Sequence, residues 1–369
     1  MTFDQVLRQL GKTSNVAAKN RLVHEFEKAN ASPIIENSRA TFFYLSDNAD
    51  TVALAGDWTS WKPSASMICL PDTPLWYRIE RFPRAARLEY RIVVNDTRRL
   101  LDPHNAETSQ GGFGFNSVLT MPDYAAPAEL AESYRGARGR LESHWLNSRE
   151  MQARFTFYVY MPPRFDSNQK YPTTYWNDGT DYLRFGNLAR ILDYLIGNRR
   201  VPPCIAVFVK PNDRRIEYTL NNQYVRFLAN ELVPRVDEMF PTLNVPNARA
   251  IIGASLGGLA AAFIARRRSN LFGLVGAQSG AFGFQNDAII RDYAECENLG
   301  TRLHFIVGDF ETDLHGSGKP DSNLVAAQQR FVQLLQEKNY AVSAAAFPEG
   351  HQWGFWRAHV GDLLKFFWG

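Results

Sequence analysis

Cysteine is scarce in this 369-residue chain, and Cys69, Cys204 and Cys296 are its only three. An odd number at wide, irregular spacing fits no zinc, redox or disulfide framework. Cys204 opens the apolar run "CIAVFVK", where a buried free thiol is the natural reading. Long apolar runs are missing too. No stretch approaches the ~18 apolar residues of a spanning helix, which argues against a membrane partner. The opening "MTFDQVLRQLGKTSNVAAKNRLVHEFEKA" is polar and amphipathic, and lacks the apolar centre of a secretory signal. A cytoplasmic location is expected on these grounds. A leader removed from the natural chain would instead point to the periplasm or to secretion. Charge of one sign is not in excess either: 41 Lys and Arg face 38 Asp and Glu, a formal net charge of +3. The one compact basic run, Arg266-Arg267-Arg268, falls where a helix should end. With no basic stripe and no recognition motif, nucleic-acid binding is excluded from the working readings.

What is present suggests two domains, at about 100–200 residues per domain. Residues 1–38 read as a helical segment, with Val6, Leu7, Leu10 and then Leu22, Val23, Phe26 at helical spacing. From 39 to 124 the period shortens. "ATFFYLS", "TVALAGDW", "LWYRIERF" and "LEYRIVVN" are aromatic, β-branched runs between Asn, Asp, Gly and Pro clusters, which predicts an all-β sandwich. An Ala- and Pro-containing linker is expected over 125–145. From 146 to 369, buried strand-like runs alternate with amphipathic helical ones, implying an α/β domain with a mostly parallel sheet covered on both faces.

The chemistry is concentrated in "IIGASLGGLAAAF", residues 251–263. An apolar run leads into Gly-Ala-Ser-Leu-Gly and then into small residues at helical spacing. A serine turned sharply between strand and helix needs small neighbours two residues away on each side, and Gly253 and Gly257 meet that demand. The hydroxyl of Ser255 would stand over the carboxyl ends of the strands, and the Leu256 N–H, at a helix start, would face a developing oxyanion. A tight structural turn is the plainer alternative. The base and acid of such a nucleophile follow it in the order Ser, acid, His. His24, His104 and His144 precede the serine. His304 lies inside a strand-like run, His315 in a polar loop, and His359 on the last helix. His351, in the loop "PEGHQWGFW", is where this arrangement needs its base, with His315 the weaker candidate. The acid lies in "FIVGDFETDLHG", where Asp309, Glu311 and Asp313 all qualify by position. A second oxyanion donor is expected from the loop "NDGT", at the Thr180 N–H just past Gly179. Asp178 is either a site residue or a turn residue. The acyl transfer that these groups would carry out calls for no metal or other cofactor.

Taken together, "YWNDGTDYL", "NDRRIEY", "FLANELVPRVDEMFPT", "RAIIGASLGGLAA", "FGLVGAQSGAF" and "GHQWGFWR" resemble the esterase family of α/β hydrolases. That family includes enterochelin (ferric siderophore) esterases, feruloyl esterases and esterase D, and the enterochelin type is the nearest likeness. In the same way, "GDWTSWKP", "EYRIVVN" and "LLDPHN" resemble the immunoglobulin-like domain that precedes some esterases and glycogen-branching enzymes. The resemblance implies an α/β-hydrolase fold behind an immunoglobulin-like sandwich, with Ser255 as nucleophile and His351 as base. It selects Glu311 as the acid, because relatives place their carboxylate just after a strand-ending glycine, here Gly308. It also sets Asp178, Arg215, Tyr218 and Trp353 along the substrate pocket. The implied substrate is a small-molecule or glycan-linked ester; the oligomeric state stays open between monomer and homodimer. Trp58 and Trp61 either stack on sugar, as in carbohydrate-binding relatives, or pack within the sandwich or domain interface, as aromatic anchors commonly do. Three functions follow: a siderophore esterase, a feruloyl or acetyl-xylan esterase, and a non-catalytic binding protein on the same scaffold.

Overall fold

The computed structural model describes residues 2–131 and 134–369. It divides into two units, one of Met1–Ala125 with Pro348–Gln352, the other of Ala126–Phe347 with Trp353–Gly369.

In the first unit, two helices cover one face of a β-sandwich. Helix Phe3–Lys12 is started by a capping box: the Thr2 hydroxyl accepts the Gln5 amide at 3.3 Å, and the Gln5 side chain accepts the Thr2 amide at 2.8 Å. Phe3, Val6 and Leu10 then fall on one face, and with Val23 and Phe26 of helix Val16–Ala29 they pack on Phe43 and Leu75. Burial of each large apolar side chain contributes roughly 1.5–3 kcal/mol, which is how short helices persist here. The sandwich has a four-stranded and a six-stranded sheet. Its first strand, Ile34–Glu36, lies inside the segment expected to be helical and pairs with Arg39–Leu45. Trp58 and Trp61 are both half-buried. The Trp58 ring stacks on Phe42 at 5.7 Å and meets Phe82 edge-on at 5.1 Å.

The second unit is built on one eight-stranded sheet, whose strands we label in chain order: β1 Arg140–Ser148, β2 Ala153–Met161, β3 Thr173–Trp176, β4 Ile205–Val209, β5 Arg249–Ala254, β6 Leu274–Gln278, β7 Arg302–Gly308 and β8 Ala341–Phe347. Their spatial order is β1-β2-β4-β3-β5-β6-β7-β8; β1, β2 and β4 pair antiparallel and every other neighbour is parallel. Successive residues of a strand point to opposite faces. Tyr175, Val207 and Ile251 accordingly enter one apolar layer, and Trp176, Phe208 and Ile252 enter the other. Both faces are buried, as a parallel sheet requires.

Two local differences from expectation have plain causes. β1 begins inside the segment assigned to the linker, because its alternating exposed pattern "RLESHWLNS" suits a half-solvated edge and not a buried strand. The run "YVRFLANELVPRVDEMF", among the amphipathic helical ones, is not one continuous helix but Asn222–Phe227, a π-turn Leu228–Leu232, and Val233–Met239. Pro234 has no N–H to give the fourth carbonyl back, and the wider turn accommodates it. Cys204 is a fully buried free thiol, and burial pushes its pKa up to about 12. No helix among the described residues is long and apolar enough to cross a membrane.

Candidate active site

β5 is wholly buried and ends at Ala254. The next residue, Ser255, holds φ 57° and ψ −121°, a conformation that costs a non-glycine residue on the order of 1–3 kcal/mol. The surrounding backbone enforces it. The Ser255 N–H donates to the Gln278 carbonyl at 2.9 Å, and its own carbonyl accepts from Gly258, Leu259 and Ala281 at 3.0–3.1 Å. Gly253 is required here, since a Cβ on it would lie 2.3 Å from the Gly257 carbonyl group. Gly257 is tight for a different reason: its Cβ would meet the Asp178 carboxylate at 3.0 Å and Asn177 Cβ at 3.3 Å. Helix Leu256–Arg267 starts at once, so the Leu256 N–H has no intrahelical acceptor.

The loop after β3 is tied to this turn. The Asn177 N–H donates to the Ile252 carbonyl, and its side-chain amide donates to the Gly257 carbonyl, both at 2.9 Å. Tyr224 in turn donates its hydroxyl to Asn177 Oδ1 at 3.1 Å. Asp178 is nearly fully buried at φ 56°. Its N–H donates to the Tyr218 hydroxyl at 2.8 Å, and its carboxylate accepts Arg214 Nε and Nη2 at 2.8 and 3.0 Å. Burial raises the Asp178 pKa, while the guanidinium pulls against that rise. Half-buried Thr180 is the second residue of helix Gly179–Arg184, so its N–H also lacks an intrahelical acceptor.

The three candidate acids have separate fates. Glu311 is 1% exposed, and its Oε1 accepts the Gly308 N–H at 2.8 Å and the Ser279 hydroxyl at 2.7 Å. Ser279 is itself fixed by the Trp356 indole N–H at 2.8 Å. Asp313 accepts Gly318 N–H and Ser322 Oγ, both at 2.9 Å, and so braces its own loop. Asp309 is exposed.

His351 is half-buried and lies in the Pro348–Gln352 segment, between β8 and helix Trp353–Ala358. β8 ends at Phe347, whose partner in the parallel ladder is Gly308. The segments bearing His351 and Glu311 therefore leave the sheet from paired positions on neighbouring strands. Of the remaining histidines, His304 is buried within β7, where desolvation lowers its pKa to about 4 and keeps it neutral. His359 packs on the Phe347 ring at 3.8 Å. The His315 side chain lies outside the described residues.

The residues expected along the pocket divide differently. Arg215 is exposed, Tyr218 is fully buried with its hydroxyl holding the Asp178 amide, and Trp353 is buried edge-on to Tyr182 at 5.0 Å. Sequence reasoning missed Arg214, which pairs with Asp178, and Asn177, which fastens the two loops. No sequence signal separates the two arginines: Arg214 and Arg215 lie four and three residues before Tyr218, and both spacings put neighbours on one helical face.

The family model described as "Putative esterase" matches residues 148–367, more than half of the chain. A Bacillus subtilis protein of uncharacterised function, YjcH, is 27% identical over 234 residues, covering 62% of this chain and 97% of its own length. The crystal structure of ferric enterobactin esterase from Salmonella typhimurium superposes with a TM-score of 0.80 at 17% identity, covering 94% of this chain and 98% of that one. A ferulic acid esterase gives a TM-score of 0.52 at 18% identity, covering 62% of this chain and 98% of that one. The chain belongs to this esterase family and is a carboxylic ester hydrolase.

Proposed function

We propose that the chain is a serine esterase with Ser255 as nucleophile, His351 as base and Glu311 as orienting acid. The observation that carries this reading is the Ser255 backbone: a strained turn pinned by four hydrogen bonds at the end of a buried strand is worth its cost only if the hydroxyl is used. His351 takes the hydroxyl proton as Ser255 Oγ attacks the ester carbonyl. The N–H groups of Leu256 and Thr180 hold the oxyanion, and the alkoxide leaves with the proton from His351. Water then attacks the acyl-serine with His351 again as base, releasing the acid. Glu311 supports the imidazolium; it is the one of the three carboxylates that is buried, with its Oε1 held by the Gly308 N–H and the Ser279 hydroxyl. Ser255→Ala should lower kcat for p-nitrophenyl butyrate by about 10⁶-fold. A variant that keeps the wild-type rate would remove Ser255 from the chemistry.

For the substrate, we propose a siderophore ester of the enterobactin type. The Salmonella likeness extends over the sandwich as well as the hydrolase fold, whereas the ferulic acid esterase covers 62% of the chain. The glycan reading called for an exposed aromatic platform at Trp58 or Trp61. Both are half-buried, one on Phe42 and the other with its indole N–H on Asp57. Ferric enterobactin, methyl ferulate and acetylated xylan assayed side by side should give the highest kcat/KM with the first. A preference for methyl ferulate or acetylated xylan would overturn the substrate assignment and leave the serine mechanism standing.

A further inference from the structure

The segment Pro348–Gln352 belongs to the same unit as the sandwich. Its backbone is held at one end by strand Arg87–Val94, where the Arg87 N–H donates to the Pro348 carbonyl at 3.3 Å and Arg87 pairs with Glu349 in a short parallel bridge. At the other end it meets Asp57, first residue of the turn in "GDWTSW". Asp57 is 5% exposed. Its Oδ2 accepts the Glu89 N–H at 2.7 Å, and its Oδ1 accepts the Trp61 indole N–H at 3.0 Å and the Gln352 side-chain amide at 3.3 Å. Gly350 lies so close that a Cβ on it would fall 2.1 Å from Asp57 Cγ. The carboxylate is thus gripped from the sandwich side by two donors and presses on residues 350 and 352, the two neighbours of His351.

From this geometry we infer that Asp57 is a positioning residue for ester hydrolysis, holding the segment that carries His351 in register with the sandwich. The "GDWTSW" turn then serves catalysis as a brace and not as a sugar platform. The inference rests on the reading of His351 as the base. It has a steric counterpart in Gly350, where no larger residue fits while Asp57 stays in place. Burial, with the Glu89 charge nearby, pushes the Asp57 pKa up to about 7, so the carboxylate is held at a cost to folding that a bystander side chain would not impose.

The test compares four full-length variants with wild type on p-nitrophenyl butyrate: His351→Ala, Asp57→Ala, Gln352→Ala, and Phe43→Leu as a stability control in the same sandwich. Asp57→Ala should lower kcat about 10²-fold, with KM within about twofold, as expected for a misplaced catalytic group. Gln352→Ala should lower kcat roughly fivefold, the worth of one hydrogen bond. Phe43→Leu should leave kcat unchanged while lowering the melting temperature. If Asp57→Ala does not fold, Gln352→Ala decides alone. Folded Asp57→Ala and Gln352→Ala enzymes with wild-type kcat, beside an inactive His351→Ala, would overturn the inference and spare the serine mechanism. An equal loss of kcat in Phe43→Leu would also overturn it. A fully active His351→Ala would remove the base assignment and this inference together.

Discussion

The turn at Ser255 and the segment at His351 are built by opposite means. Around Ser255 the determinants are local: Gly253, Gly257 and Gly258 lie within three residues, and the strain is absorbed by neighbouring strands and the helix that follows. Around His351 they are remote, since Gln352 meets Asp57 across 295 positions of sequence. A local device announces itself as a motif. A remote one leaves only an aspartate in a turn and a glycine in a loop.

Substitutions can widen or close that contrast. The largest effect is expected at Gly253→Ala, where the added Cβ meets backbone that cannot swing aside. It should cost roughly 3 kcal/mol or more, at the upper end of overpacking, and abolish hydrolysis. Urea unfolding and p-nitrophenyl butyrate turnover measure both, and a stable, active variant would show that the turn is less constrained than its geometry. Next is Arg214→Leu, which leaves the buried Asp178 carboxylate without its cation. Because the Arg214 side chain is 39% exposed, the buried-pair penalty is discounted to about 1–3 kcal/mol.

A smaller effect tests the remote end. Asp57 has a folded pKa of about 7, above its usual 3.8, so the folded chain binds an extra proton between those values. The stability from this group is complete below about pH 4 and is lost as pH rises through 7. Asp57→Asn is neutral throughout, and its urea midpoint relative to wild type should therefore rise between pH 5 and pH 8. A constant difference would mean that Asp57 titrates normally. The smallest change is expected at Arg215→Ala, within about 0.5 kcal/mol by urea unfolding, because this neighbour of Arg214 is exposed.

These differences also explain what could be read from sequence. The alternation of buried strands and helices was legible because both faces of β3 to β7 are covered, and continuous apolar runs record that burial. β1 was not legible, because a half-exposed edge strand such as "RLESHWLNS" carries no such run. The same holds within the site. Ser255 and its flanking glycines follow from local sterics, whereas Asp309, Glu311 and Asp313 all fit by position and only the resemblance to relatives selects Glu311. Arg214 was passed over for Arg215 because both lie within one helical turn of Tyr218, and only the folded chain shows which of them reaches Asp178. Asn177 and Asp57 act through partners far along the chain, and no short window of sequence contains both halves of either contact.

Reaction of the protein with diethyl p-nitrophenyl phosphate, followed by peptide mass mapping, tests the assignment of the nucleophile most directly. A single phosphoryl adduct on the peptide bearing Ser255, formed as ester hydrolysis disappears and not formed in His351→Ala, is the expected result. Complete inactivation with Ser255 unmodified, or undiminished hydrolysis with Ser255 fully modified, would contradict it.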